Sequence, residues 1–67
     1  MIKIKLNGAI VEIKDDSNAW ALLSQLEIEA KRLAIEVNEE ILPRSQFDHY
    51  LFKENDKVEI VHAIGGG

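Results

Sequence analysis

Lys57-Val58-Glu59-Ile60-Val61-His62-Ala63-Ile64 is the last apolar run of the chain, and Gly65-Gly66-Gly67 follows it directly. Val58, Ile60 and Ile64 share one parity, the period-two pattern of a strand with one buried and one wet face. Its counterpart stands at the other end, where Ile2, Ile4 and Leu6 alternate with Lys3 and Lys5. These are the longest alternating runs, so they are expected to pair in parallel at the centre of one sheet, joined through a helix. That pairing would put the glycine run at the end of the sheet, clear of the core. Glycines without Cβ atoms adopt almost any backbone angle, so residues 65–67 are expected to form a thin, mobile arm carrying a free α-carboxylate. A frayed end or an appended scar has the same composition, so the tail alone does not assign a function.

Between the two strands the chain is readable in order. Asn7-Gly8 suits the two positive φ angles of a type I′ turn, and Val11 and Ile13 resume the alternation, which makes an N-terminal hairpin. Asp15-Asp16-Ser17-Asn18 is rich in capping residues; Ser17 or Asn18 is the expected helix cap, with the two acids at the favourable end of the helix dipole. Ala19, Leu22, Leu23 and Leu26 recur at helical spacing and form one apolar stripe. Trp20 falls beside that stripe and is expected to cover the open end of the hairpin. The charged segment Glu27–Arg32 reads as a helix end and connector. Leu33, Ile35 and Val37 form a third strand, Asn38-Glu39-Glu40 a turn, and Ile41-Leu42 a very short strand stopped by Pro43, which cannot donate to a ladder. Arg44–Tyr50 is expected to be a loop or single helical turn anchored by Phe47, with Tyr50 or Leu51 as further anchors. Glu54-Asn55-Asp56 reads as a second turn, in which Asn55 best tolerates a left-handed angle.

Composition narrows the function classes. At 67 residues the chain is one domain that buries about 60% of its unfolded surface. It has no cysteine, hence no disulfide framework, zinc–thiolate cluster or thiol nucleophile. The formal net charge of −4 leaves no basic footprint for nucleic acid. No run approaches the ~20 apolar residues of a bilayer span, and the N-terminus lacks the apolar stretch of a signal peptide. A cytoplasmic protein that binds neither nucleic acid nor membrane is therefore expected. His49 and His62 have no cysteine or helical carboxylate partner to make a metal site; His62 shares the parity of Val58 and Ile60 and reads as a histidine at the core's edge. Asp15-Asp16 and Glu39-Glu40 are adjacent carboxylates, whose side chains point apart. Ser17, Ser24 and Ser45 lack a nucleophile-elbow setting, and no glycine-rich loop precedes a helix to cradle phosphate.

Taken together, the first strand ending at Asn7, the helix Leu22-Leu23-Ser24-Gln25-Leu26, the run Ala34-Ile35-Glu36-Val37-Asn38, the stretch Ile41-Leu42-Pro43-Arg44-Ser45 with Phe47, and the ending Val58–Gly67 resemble the thiamin-pathway sulfur carriers, the ThiS family. The resemblance covers nearly the whole chain. It implies an α+β, β-grasp (ubiquitin-like) fold: a mixed sheet of four to five strands with one helix across it over residues 1–64, and a flexible glycine tail over 65–67. Two departures concern turns, since the family often carries glycine near Glu27 and usually where Asn55 stands.

The resemblance further implies a chemistry. The Gly67 carboxylate would be adenylated from ATP by a ThiF-like adenylyltransferase, converted to a thiocarboxylate by a persulfide sulfur donor, and its sulfur delivered to a ThiG-like thiazole synthase. The chain itself would bind no cofactor, since ATP belongs to the partner, and would be a carrier rather than an enzyme. Gly65 and Gly66 would be the lead-in recognised by partners, with Ile64, Phe47, Leu42 and His62 as the candidate docking surface. A ubiquitin-like modifier or binding module, and the small subunit of molybdopterin synthase, are the alternatives that share such a tail. A small enzyme ranks last, because 67 residues offer neither a large pocket nor converging titratable groups.

Overall fold

The computed structural model describes residues 1–62; Ala63 and Ile64, which the sequence assigns to the last strand, and the Gly65–Gly67 tail lie outside the described residues. The elements are β1 (Ile2–Leu6), β2 (Ala9–Ile13), α1 (Ala19–Leu26), β3 (Leu33–Val37), β4 (Glu40–Leu42), a 3₁₀ turn (Arg44–Gln46) and β5 (Lys57–His62). They build one five-stranded sheet in the order β2-β1-β5-β3-β4. The central pair is parallel, Lys5 opposite Lys57 and Leu6 opposite Val58, as the two long alternating runs predict. All other pairings are antiparallel. Both hairpin turns have two residues at positive φ, Asn7 and Gly8 in the first, Asn38 and Glu39 in the second. Such angles match the twist of the flanking strands.

One face of the sheet is buried under α1. Ile4, Ile13, Ile35, Val37, Val58 and Ile60 point into it and meet Ala19, Leu22 and Leu23 of the helix, with Phe47 and Phe52 closing the end. Burying such side chains contributes roughly 1.5–3 kcal/mol each and is the main force available to a chain without disulfides.

The local signals around α1 resolve in favour of Asn18, whose side chain accepts the Ala21 N–H at 2.9 Å. Ser17 is instead buried, its hydroxyl donating to the Lys14 carbonyl at 2.6 Å. Asp15 and Asp16 precede the cap, and no acid occupies the first helical turn, so the expected dipole contribution is absent there. Asp15 lies 2.8 Å from the Met1 amino group instead.

At the other end Glu27 adopts a left-handed φ of 57°, its N–H directed at the Leu23 and Ser24 carbonyls, while the Ile28 N–H donates to Leu23 at 2.9 Å. This is the hydrogen-bonding pattern that glycine most often provides. Asn55 is left-handed as well, at φ 72°. The two positions where glycine was expected from the family resemblance are therefore positions where a side chain costs energy, about 1–2 kcal/mol for an L-residue. Glu27→Gly is expected to raise stability by about 0.5–1 kcal/mol after its entropic cost, and the melting midpoint by several degrees. A scanning calorimetry comparison that shows no rise would contradict this account of the helix end.

Trp20 departs from expectation. It packs edge-on against Phe47, with ring centroids 5.1 Å apart, and Arg44 sits 5.8 Å from its ring centre. The same guanidinium donates to the Ala30 carbonyl. The tryptophan thus covers the 3₁₀ turn, not the hairpin, because Phe47 supplies the larger apolar surface.

Candidate functional site

The candidate site is the C-terminal end of β5, where the chain leaves the sheet toward the glycines. Sheet position holds this end in place. β5 has β1 on one side and β3 on the other, with Ala34 opposite Val61 and Leu33 opposite His62. β1 stops at Leu6, yet its contact with β5 continues one step further through a side chain. The Asn7 amide accepts the Ile60 N–H at 2.8 Å and donates to the Ile60 carbonyl at 3.2 Å, while its backbone N–H donates to Val58 at 2.9 Å. An asparagine amide copies a peptide group, so it extends the ladder where the chain itself must turn away.

The start of β5 is fastened separately. Asp56 is 6% exposed and accepts the Lys53 N–H at 2.9 Å, the Tyr50 hydroxyl at 2.8 Å and the Asn38 amide at 3.0 Å. Asn38 in turn accepts the Lys57 N–H at 2.9 Å. The turn after β3, the Tyr50–Asn55 segment and β5 therefore meet on one carboxylate. Burial alone would push that carboxyl up, but the hydrogen bonds, with the Lys53 charge, outweigh it and hold it below its ordinary value. Tyr50 is pushed up to about 12, first by burial and then by its bond to Asp56.

The sign of the resulting pH dependence follows. A carboxylate with a depressed folded pKa contributes stability above its unfolded pKa of about 4, and that contribution is lost as pH falls through the folded value. Asp56→Asn is expected to lower stability at neutral pH by about 2 kcal/mol, with the gap to the parent closing under acid. Parallel melting curves from neutral pH downward check this; a gap constant with pH would contradict it.

The residues selected from sequence fall in different places. Phe47 is 2% exposed and part of the core, so it is an anchor and not a docking residue: its ring fills the space between α1 and the 3₁₀ turn. Leu42 shares the core face with Ile35 and is half-buried against the core. His62 is exposed at the end of β5. Ile64, Gly65, Gly66 and Gly67 lie outside the described residues.

The exposed apolar side chains near the end of β5 are different ones, Val61 at 54% and Ile41 at 68%, both on the sheet face turned away from α1. Both break the strand alternation, being apolar residues at wet-face parity. That signal was available in the sequence, but it could not be read before the register placed Val61 and Ile41 on one face.

The sequence model of the ThiS family matches residues 4–67, from β1 through the glycine end. The chain belongs to the ThiS family, the sulfur carriers of thiamin biosynthesis. It is 34% identical over 65 residues to the sulfur carrier protein ThiS of Bacillus subtilis, covering 96% of this chain and 98% of that one. The crystal structure of the thiamine biosynthesis protein ThiS from Geobacter metallireducens superposes with a TM-score of 0.83 at 32% identity, over 98% of this chain and 100% of that one. The α+β, β-grasp arrangement expected from the sequence is therefore the family's fold. A thiazole synthase of Paramagnetospirillum magneticum is 35% identical over 66 residues, and the match takes up 98% of this chain but 20% of that relative. The chain thus spans about a fifth of that enzyme's length.

Proposed function

We propose that this chain carries sulfur on Gly67. A carboxylate is a poor electrophile, because charge and resonance resist attack at its carbon. One carboxylate oxygen attacks the α-phosphorus of ATP in a ThiF-like adenylyltransferase, and pyrophosphate leaves. Sulfur from a persulfide donor then forms the C–S bond while AMP departs, and a thiol cleaves the remaining S–S bond to free the thiocarboxylate. A ThiG-like thiazole synthase receives that sulfur. The observation that carries the reading is the family match running unbroken to Gly67. The ThiS-like stretch within a thiazole synthase supports the last partner.

In this reading the chain is a co-substrate of its partners in the cytoplasm, with ATP bound by the activating enzyme. Among the described residues, the perturbed titratable groups Asp56 and Tyr50 bond to each other within the loop network and serve the fold. No helix among them is long and apolar enough to cross a membrane.

Intact-mass analysis after incubation with an adenylyltransferase of this type, ATP and a sulfur source tests the reading. A sulfur-for-oxygen shift confined to the C-terminal peptide supports it. An isopeptide link to a lysine would replace it with a protein modifier, and sulfur transfer only to molybdopterin synthase would replace the acceptor.

A further inference from the structure

The sheet face turned away from α1 is divided by charge. On one half, Lys3 and Lys5 of β1 and Lys57 of β5 stand around the exposed Ile10 of β2 and line a shallow hollow of about 350 Å³. On the other half, Glu59 of β5 lies directly opposite Glu36 of β3, and Ile41 of β4 lies beside Glu36. The register also puts Lys5 directly opposite Lys57. Two like-charge pairs therefore sit side by side on neighbouring strands, an arrangement that destabilises a sheet. Lys57 is partly compensated, its Nζ lying 3.3 Å from Glu39. Among the described residues, none of the ion pairs involves Lys5, Glu36 or Glu59.

Each half lacks what the other half offers. We propose that this face is a self-complementary interface through which two copies of the chain associate. A two-fold axis running along β5, between two facing sheets, reverses the strand order β2-β1-β5-β3-β4 of the partner. β1 of one copy then faces β3 of the other, and β2 faces β4. Lys5 and Lys57 come within side-chain reach of Glu36 and Glu59 across the interface. Ile10, Ile41 and Val61 lose water in the same step. A second copy satisfies the pattern in both directions, because an isologous contact uses every complementary pair twice. The formal net charge of −4 opposes the contact at long range and keeps it weak. Association would cover Val61 at the root of the tail and so compete with enzyme partners. That consequence rests on the sulfur-carrier reading, whereas the association does not.

Sedimentation equilibrium on the full chain tests the interface. The parent is expected to exceed its 7.6 kDa monomer mass at sub-millimolar concentration, and raising salt from about 0.05 M to about 0.5 M to weaken association about tenfold. The double variants Lys5→Glu/Lys57→Glu and Glu36→Lys/Glu59→Lys are each expected to stay monomeric, with melting curves verifying the fold, and an equimolar mixture of the two to associate again. The second variant also moves the net charge from −4 to zero, so net repulsion alone would make it associate more than the parent. A parent that is monomeric throughout, a glutamate-to-lysine variant that associates as strongly as the parent, or a mixture that does not associate overturns the proposal. Sulfur loading is absent from this readout, so its failure leaves the proposed function standing.

Discussion

Gly66→Val is expected to fold as the parent does and to be adenylated more slowly by two orders of magnitude or more. The buried core draws on residues from Ile4 to Ile60, and nothing in it requires a glycine at position 66. Chemistry at Gly67 is more demanding. Reaction at its carboxylate needs the terminal residue seated with its oxygen in line with the α-phosphorus, and a misplacement of about 1 Å costs on the order of 100-fold. Valine adds a stiff, β-branched group one residue from the reacting carbon and removes the freedom that glycine had to follow a narrow channel. Gly66→Ala is expected to fall between the two, since it adds volume without branching. Pyrophosphate release with the activating enzyme under single-turnover conditions, beside a melting curve, reads both parts of the prediction. Undiminished adenylation of the valine variant would refute the steric account while leaving the site of sulfur loading untouched.

Phe47→Ala is expected to leave the domain largely unfolded at room temperature. The ring is among the largest fully buried side chains, packs edge-on to Trp20 and lies beneath the Arg44 guanidinium at 5.4 Å. Truncation of a buried phenylalanine costs about 3–5 kcal/mol. A 67-residue domain has a total stability of only about 3–10 kcal/mol. The backbone around Phe47 adds to the dependence: its carbonyl accepts the Ala19 N–H at 3.1 Å, which ties the 3₁₀ turn to the first residue of α1. Denaturant titration gives the loss directly. Phe47→Leu, which keeps most of the apolar volume, is expected to lose less than half as much and to remain competent for sulfur loading. A Phe47→Ala chain of parental stability but with weakened partner binding would restore the docking role suggested by sequence and contradict the core role found here.

The two glycine-less turns and the two aromatic loop residues show where sequence reading succeeds and where it stops. Alternation at Ile2–Leu6 and Lys57–His62, helical spacing from Ala19 to Leu26, Asn7-Gly8 and Pro43 are local signals; each acts through backbone sterics or through the face its own element must bury. They were sufficient for the element order and for the parallel centre of the sheet. Trp20, Phe47 and Leu42 could not be placed in the same way, since an apolar residue in irregular chain carries no period and its partner lies far away in sequence. Asp56 looked like one acid in a turn, and its three donors come together only when β3, the 50–55 loop and β5 are assembled.

By itself, the sequence determined the β-grasp element order, the family resemblance and the glycine end on which the proposed chemistry rests, because these depend on residue type and spacing along the chain. Only the tertiary structure decided which apolar residues are surface and which are core, and that Lys5 faces Lys57 while Glu36 faces Glu59. Those facts depend on register between strands distant in sequence. A shift of one residue in register would send every side chain of a strand to the opposite face.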